Sequence, residues 1–184
     1  MTQDIRKDNF VIFVMVALIG LTQTALRPAD LMNMPVPESG LGARHELIKS
    51  RILGILFAWS FRHGGGKVFS ESMFSLGKQT ARILDVAVIL AETIAAMPDA
   101  DVPIPFAPDL AVEVVSVSES AWAVEKKVRE YLHAGVQEVW QVFPDERMVR
   151  VRRVGGTVDL EADDLLTSGV LEGFEVLVNR FFMG

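Results

Sequence analysis

The chain has no cysteine, which removes disulfide frameworks, thiolate zinc sites and cysteine nucleophiles and makes the protein compatible with a reducing compartment. It also lacks an excess of cations. Its 18 Lys and Arg stand against 24 Asp and Glu, a formal charge of −6, whereas coating duplex nucleic acid needs many cationic side chains opposite phosphates. A local basic groove stays open. Histidines are few: His45, His63 and His133 share no spacing suited to zinc, and none stands beside a serine in a nucleophile frame. All three read as structural or surface residues. A long apolar run is missing as well. Phe10–Leu21 is uninterrupted by charge but falls short of the roughly 20 residues a spanning helix needs. The acids in MTQDIRKDN and the lack of a small-x-small cleavage site do not suit an export signal. The run reads as a buried helix or strand, no membrane partner is expected although Phe10–Leu21 leaves a membrane-associated accessory protein as an alternative, and the expected location is the cytoplasm.

What is present is enough for one core, since half of the 184 residues are apolar and 23% are charged. The expected organisation is a divergent segment over 1–44, packed on a single domain over 45–184. Leu47, Ile48, Ile52, Ile55, Leu56 and Trp59 recur at three- and four-residue spacing, predicting a helix from His45 to Phe61 that the HGGG tract at 63–66 ends. Lys67 after those glycines is not a phosphate-binding loop, because Val68 stands where Ser or Thr is needed. KVFSESMFSL and ARILDVAVIL read as neighbouring strands joined by GKQT. Ala96–Pro108 holds four prolines and cannot be regular throughout; DLAVEVVSV after it reads as a strand. SVSESAWAVEKKVREYLHAGV predicts a helix opened by a Ser116/Glu119 capping box and stopped at Gly135. EVWQVF and MVRVRRV form a strand pair turned by PDER, and the tail beyond Gly155 packs a last strand or helix on the edge. Trp59, Trp122 and Trp140 read as core. This order predicts an α/β fold, a central mixed sheet flanked by helices.

Two carboxylates stand in strands that are otherwise nearly all apolar, Asp85 in RILDVAVIL and Glu113 in DLAVEVVSV. Alternation puts Asp85 on the side of Ile83 and Ala87, and Glu113 on the side of Ala111 and Val115. An ionised carboxylate leaves water only at a cost, unless a cation, metal or donor meets it. If the strands are adjacent the two converge, and a hard cation such as Mg²⁺ takes one or two carboxylates plus waters and phosphate oxygens. The alternative is that each faces water at a strand end or pairs with Arg or Lys. On the following helix Lys127 borders the stripe of Val124, Val128, Tyr131 and Leu132, while Lys126 lies nearly opposite, toward solvent. Lys127 either orients a water and stabilises charge on a phosphate or merely snorkels. Arg147, Arg150, Arg152 and Arg153 alternate partly along a strand and read either as a phosphate contact or as a solvated hairpin.

The blocks ARILDVAVI, PDLAVEVVSVS and EKKVREYLHAGVQEVWQVFPDERMVRVRR resemble the Uma-two family of the PD-(D/E)XK nuclease superfamily, from about His45 to the C-terminus. The tail LLTSGVLEGFEV is similar to that family's end. The resemblance implies a restriction-endonuclease-like core and metal-dependent hydrolysis of DNA. Asp85 and Glu113 would be the Mg²⁺ ligands (Mn²⁺ as substitute), helped by the Val114 carbonyl. Lys127 would be the motif lysine, displaced from the strand position that Val115 occupies. Ser116 and Ser118 match family serines and are assigned a capping or substrate-contact role; Glu46 is either an auxiliary acid or a solvated helix residue. The chain departs from the family at Leu84, Val117 and Glu172, where proline is usual, and RHELIKSR runs straight into helix where a hairpin is usual. The alternative is therefore a catalytically degenerate nuclease-fold domain that binds DNA or protein. Cutting both strands would call for a homodimer.

Overall fold

The computed structural model describes residues 42–77, 80–95, 97 and 103–183; the apolar run Phe10–Leu21 lies outside them. The first element, α1 (Ala43–His63), buries Ile48, Ile52, Leu56 and Trp59 along one stripe. It stops at Gly64, whose left-handed backbone (φ 63) turns its N–H onto the Ser60 carbonyl. Two long antiparallel strands follow, β1 (Gly66–Ser75) and β2 (Ala81–Leu90). A four-residue helix α2 (Ala91–Ile94) comes next. β3 (Leu110–Val114) is buried along its whole length, antiparallel to β2 and parallel to β4 (Glu138–Phe143). The crossover between β3 and β4 is α3 (Ala121–His133). β5 (Met148–Arg153) and β6 (Gly156–Leu160) complete a mixed six-stranded sheet in the order β1-β2-β3-β4-β5-β6. A second pair, β7 (Leu165–Thr167) and β8 (Glu175–Leu177), leads into a 3-10 helix at Val178–Phe181. Among the described residues no helix is long and apolar enough to cross a membrane.

The sheet separates two cores. On one face α1 and the tail cover Val86, Val88, Val112, Val114, Trp140 and Val142. On the other, Val128 and Tyr131 of α3 cover Ala87, Ile89, Ala111 and Val139. The tail does supply an edge strand as predicted, β6 at the end of the sheet, but its later part also closes a core: Leu166, Leu171, Val178 and Phe181 are fully enclosed, and Phe174 and Phe181 pack against the Trp140 ring at 5.2 and 6.3 Å. Trp140 and Trp59 are core, as the pattern predicts. Trp122 is not; it is 68% exposed, with Lys126 over its ring at 5.3 Å, because the first turn of α3 faces water.

That first turn also comes later than the capping-box spacing predicts. The helix begins at Ala121, and Ser120 is its cap, its hydroxyl accepting from the Ala123 N–H at 3.2 Å. Residues Val115 to Glu119 stay outside both β3 and α3. The stop at Gly135 does occur, with φ 102. Strand β3 is correspondingly shorter than DLAVEVVSV, ending at Val114. The basic alternation of β5 serves ion pairs within the domain: Arg150 with Asp159, Arg152 with Glu125 and Arg153 with Glu138.

Candidate active site

Asp85 and Glu113 lie on neighbouring strands, one step beyond the last paired residues Val86 and Val112. Alternation places Glu113 as predicted, on the α3 side, in register with Gln141 of β4. At Asp85 the alternation breaks. Leu84 shares a core with Ala87 and Ile89, whereas Val86 and Val88 face the other core. Opposite Asp85 in the β1–β2 register stands Glu71, a non-glycine residue with φ 47, a conformation that costs energy and re-aims a strand. The consequence is that Asp85 meets both α1 and β3. Its Oδ2 accepts the Val114 N–H at 2.9 Å and lies 3.5 Å from Nε2 of His45. His45 Nε2 in turn stands 2.9 Å from the Val114 carbonyl oxygen.

Glu113 is enclosed among different partners. The hydroxyl of Tyr131, the chain's one tyrosine, donates to its Oε1 at 2.7 Å, and Lys127 Nζ reaches its Oε2 at 3.4 Å. Lys127 is held more tightly by Glu119, at 2.6 Å. The lysine thus reaches over the sheet as its place on the stripe predicts, and Lys126 points to water, with half its side chain exposed.

Burial, followed by the charge of Asp85, pushes the Glu113 carboxyl up to about 7, against the opposing pull of Lys127 and Tyr131. Burial also raises Asp85, but hydrogen bonds from His45 and the Val114 N–H, with the charges of His45 and Lys49, outweigh it and leave the carboxyl below its ordinary value. The Asp85 carboxylate is the main cause of a raised His45 imidazole, opposed by burial. Burial lowers Lys127, but Glu113 and Glu119 overcome it and raise the ammonium above its usual value. Burial and the neighbouring Glu113 carboxylate hold the Tyr131 phenol far above its usual range. The two carboxylates therefore have unequal proton affinities, Asp85 ionised through the neutral range and Glu113 titrating within it. Tyr131→Phe removes a donor to the ionised form, so the Glu113 midpoint should move upward and the protein lose about 1–2 kcal/mol at pH 8. Carboxyl-selective NMR titration and urea unfolding check both effects; a Glu113 midpoint that falls contradicts the arrangement.

Sequence reasoning missed several of these residues. His45 is not a bystander but touches both Asp85 and Val114. Lys49, buried in α1, pairs with Glu46 at 2.7 Å and with Glu71 at 2.5 Å, so Glu46 is neither free nor plainly solvated. Ser116 and Ser118 lie beside each other, 3.0 Å between hydroxyls, outside the helix they were expected to cap. Among the described residues no three His, Asp or Glu side chains are grouped so as to hold a metal. The oxygen donors at hand are the two carboxylates and the Val114 carbonyl, whose oxygen lies 2.9 Å from His45 Nε2. That set suits a hard cation that retains several waters.

A family model, Uma2, described as "Putative restriction endonuclease", matches residues 33–179. The chain belongs to the Uma2 family. The fold agrees with that membership. A solved structure described as a "putative nuclease belonging to DUF820 from Anabaena variabilis" superposes with a TM-score of 0.68 at 20% identity, covering 84% of this chain and 96% of that one. No curated protein matches. Asp85, Glu113 and Lys127 thus lie within the part of the chain that the Uma2 model matches.

Proposed function

We propose that this Uma2 protein is a divalent-metal-dependent endonuclease that hydrolyses DNA phosphodiester bonds, with Asp85, Glu113 and Lys127 as its centre. The observation that carries the reading is geometric: on adjacent strands Asp85 Oδ2 accepts the N–H of Val114, the residue next to Glu113, and Lys127 Nζ lies 3.4 Å from the Glu113 carboxylate. Asp85, Glu113 and the Val114 carbonyl would hold Mg²⁺ or Mn²⁺, which when bound polarises a phosphate oxygen and offsets charge on it. Lys127, fixed by Glu119, orients the attacking water and faces the charge that develops on the phosphoryl group. Tyr131 keeps the Glu113 carboxylate turned toward the site. His45 orients Asp85 through Nε2, the same nitrogen that bonds the Val114 carbonyl.

A single centre cuts one strand at a time, so a concerted double-strand break would take two copies of the chain. The rival reading, a degenerate domain that binds DNA or protein without cutting, draws on His45, which already engages two of the three proposed ligands.

Incubation of the full chain with supercoiled plasmid and with single-stranded DNA should give cleavage in Mg²⁺ or Mn²⁺ and none in EDTA. The rate should rise from pH 6 to pH 8, because Glu113, raised to about 7, must lose its proton to serve as a ligand. A chain inert with both metals on every substrate favours the rival. A rate that falls over that range removes Glu113 from the ligand set.

A further inference from the structure

Next to the proposed centre, on the side of α1, a lysine sits in a cage of carboxylates. Lys49 is 6% exposed, and its Nζ lies 2.7 Å from Glu46, one helical turn earlier, and 2.5 Å from Glu71 of β1. Glu71 stands opposite Asp85 in the β1–β2 register. Glu46 is linked to the same aspartate from the other direction: its Oε1 lies 3.4 Å from Nδ1 of His45, whose Nε2 lies 3.5 Å from Asp85. The ammonium is thus the middle of a chain of charges that leaves Asp85 through α1 and returns to it through β1. The Glu46–Lys49 pair alone, three residues apart on a helix, is an ordinary surface arrangement. The second carboxylate, brought from β1, turns it into a cage.

The fold maintains this cage against two costs. Burying an ammonium is unfavourable by several kcal/mol before its partners offset it. Glu71, held at φ 47 inside a strand, adds about 1–3 kcal/mol of backbone strain. Both carboxylates stay open to water on their outer sides, Glu46 with 41% and Glu71 with 61% of the side chain exposed, so ions in solution reach them. An oxygen of each lies within 2.7 Å of one point. Such a pair meets the donor requirement of a hard cation, which takes one or two carboxylates and completes its shell with water. What keeps a divalent ion out is the ammonium already seated between them. Tethered to α1, it supplies the positive charge that Glu46 and Glu71 otherwise draw from solution.

We propose that Lys49 takes the place of a second metal ion, so that the centre loads one divalent cation at Asp85 and Glu113 and the Glu46–Glu71 cage loads none. The count of one rests on the reading of Asp85 and Glu113 as ligands; the exclusion from the cage does not. Withdrawing the ammonium leaves two carboxylates facing one another beside Asp85, and like charges so placed recruit a cation or take up protons.

The test is a count of bound Mn²⁺ by electron paramagnetic resonance, in which the signal of the free ion falls as it binds. It is made on the full chain, on Lys49→Ala and on Lys49→Ala combined with Glu71→Gln. At up to about 10 mM Mn²⁺, above the dissociation constants of the weaker carboxylate sites, Lys49→Ala should bind one ion more than the wild type, and adding Glu71→Gln should remove that extra ion. An equal count in wild type and Lys49→Ala, or an extra ion that survives Glu71→Gln, overturns the proposal. If Lys49→Ala does not fold in EDTA, folding regained in Mn²⁺ supports the cage, and a chain unfolded in both overturns it. A wild type that binds no ion, beside a Lys49→Ala that binds one, keeps the cage and loses the ligand reading at Asp85 and Glu113. A wild type that cuts DNA, beside a Lys49→Ala that gains no ion, does the reverse.

Discussion

Glu138→Ala is expected to destabilise the protein by about 3–5 kcal/mol, the cost of removing one partner from a buried charged network. Glu138 opens β4 with no exposed surface. Its Oε1 accepts the Trp140 indole N–H at 2.6 Å, and its Oε2 accepts Arg153 Nε at 2.6 Å and the Gly169 N–H at 3.0 Å. One side chain therefore joins the largest enclosed core residue, the adjacent strand β5 and the segment that leads the tail back into the core. Truncation strands an indole N–H and a backbone N–H in apolar surroundings and leaves Arg153 unpaired on that side. Glu138→Gln, which keeps acceptor and shape but lacks the charge, should lose less than Ala. Urea unfolding at pH 7 measures both. A loss below about 1 kcal/mol for the alanine variant would mean that the network does not join these elements.

Wild-type stability should fall between pH 5 and pH 8, and Glu113→Gln should remove most of that fall. The folded-state carboxyl is raised from 4.5 to about 7, so the native state binds more protons than the unfolded chain between those values. The favourable contribution is complete below the unfolded value and is lost as pH rises through the folded one. A shift of that size corresponds to about 3 kcal/mol. His45, also raised, acts in the same direction above its ordinary value. Asp85, lowered, contributes stability above its unfolded value that is lost only in acid, below this window. Comparing the two unfolding curves point by point isolates Glu113. Near pH 8 the glutamine variant should be the more stable protein although it has lost a proposed ligand, the expected trade of stability for function. Parallel curves would mean that Glu113 is not held in the proton-binding state its burial dictates.

Much of the fold was legible because its signals are local. The stripe of α1, the apolar runs and lengths of β2 and β4, and the glycine stops are readable from short windows, and the structure places them within a residue or two. The start of α3 was not. Ser116 and Glu119 have the spacing of a capping box, and Glu119 Oε2 does accept the Ser116 N–H at 3.4 Å, but Oε1 holds Lys127 and the helix starts only after Ser120, which takes the cap. The tail was legible in part, its edge strand β6 expected and its enclosed later residues not. Its apolar residues are spread among turns, and only Trp140, distant in sequence, shows that they close a core.

The candidate site divides in the same way. Asp85, Glu113 and Lys127 stand out because charged groups amid apolar strands, or bordering an apolar stripe, are chemically conspicuous. His45, Lys49 and Glu71 look like ordinary residues of an exposed helix face and an edge strand. Their role depends on the break in alternation at Asp85, and the only trace of it in the sequence is the polar SES interrupting β1. Gln141 carries no signal beyond being, with Glu138, one of two polar residues in EVWQVF.

The most direct test of the account is cleavage of supercoiled plasmid in Mg²⁺ and in Mn²⁺ by the wild type beside Asp85→Ala, Glu113→Ala and Lys127→Ala, each first shown to be folded by circular dichroism. The wild type should cut, and each variant should lose at least about 100-fold in rate, the scale of removing one preorganised charged group from a transition state. A folded Asp85→Ala or Glu113→Ala that cuts at the wild-type rate would place the chemistry elsewhere.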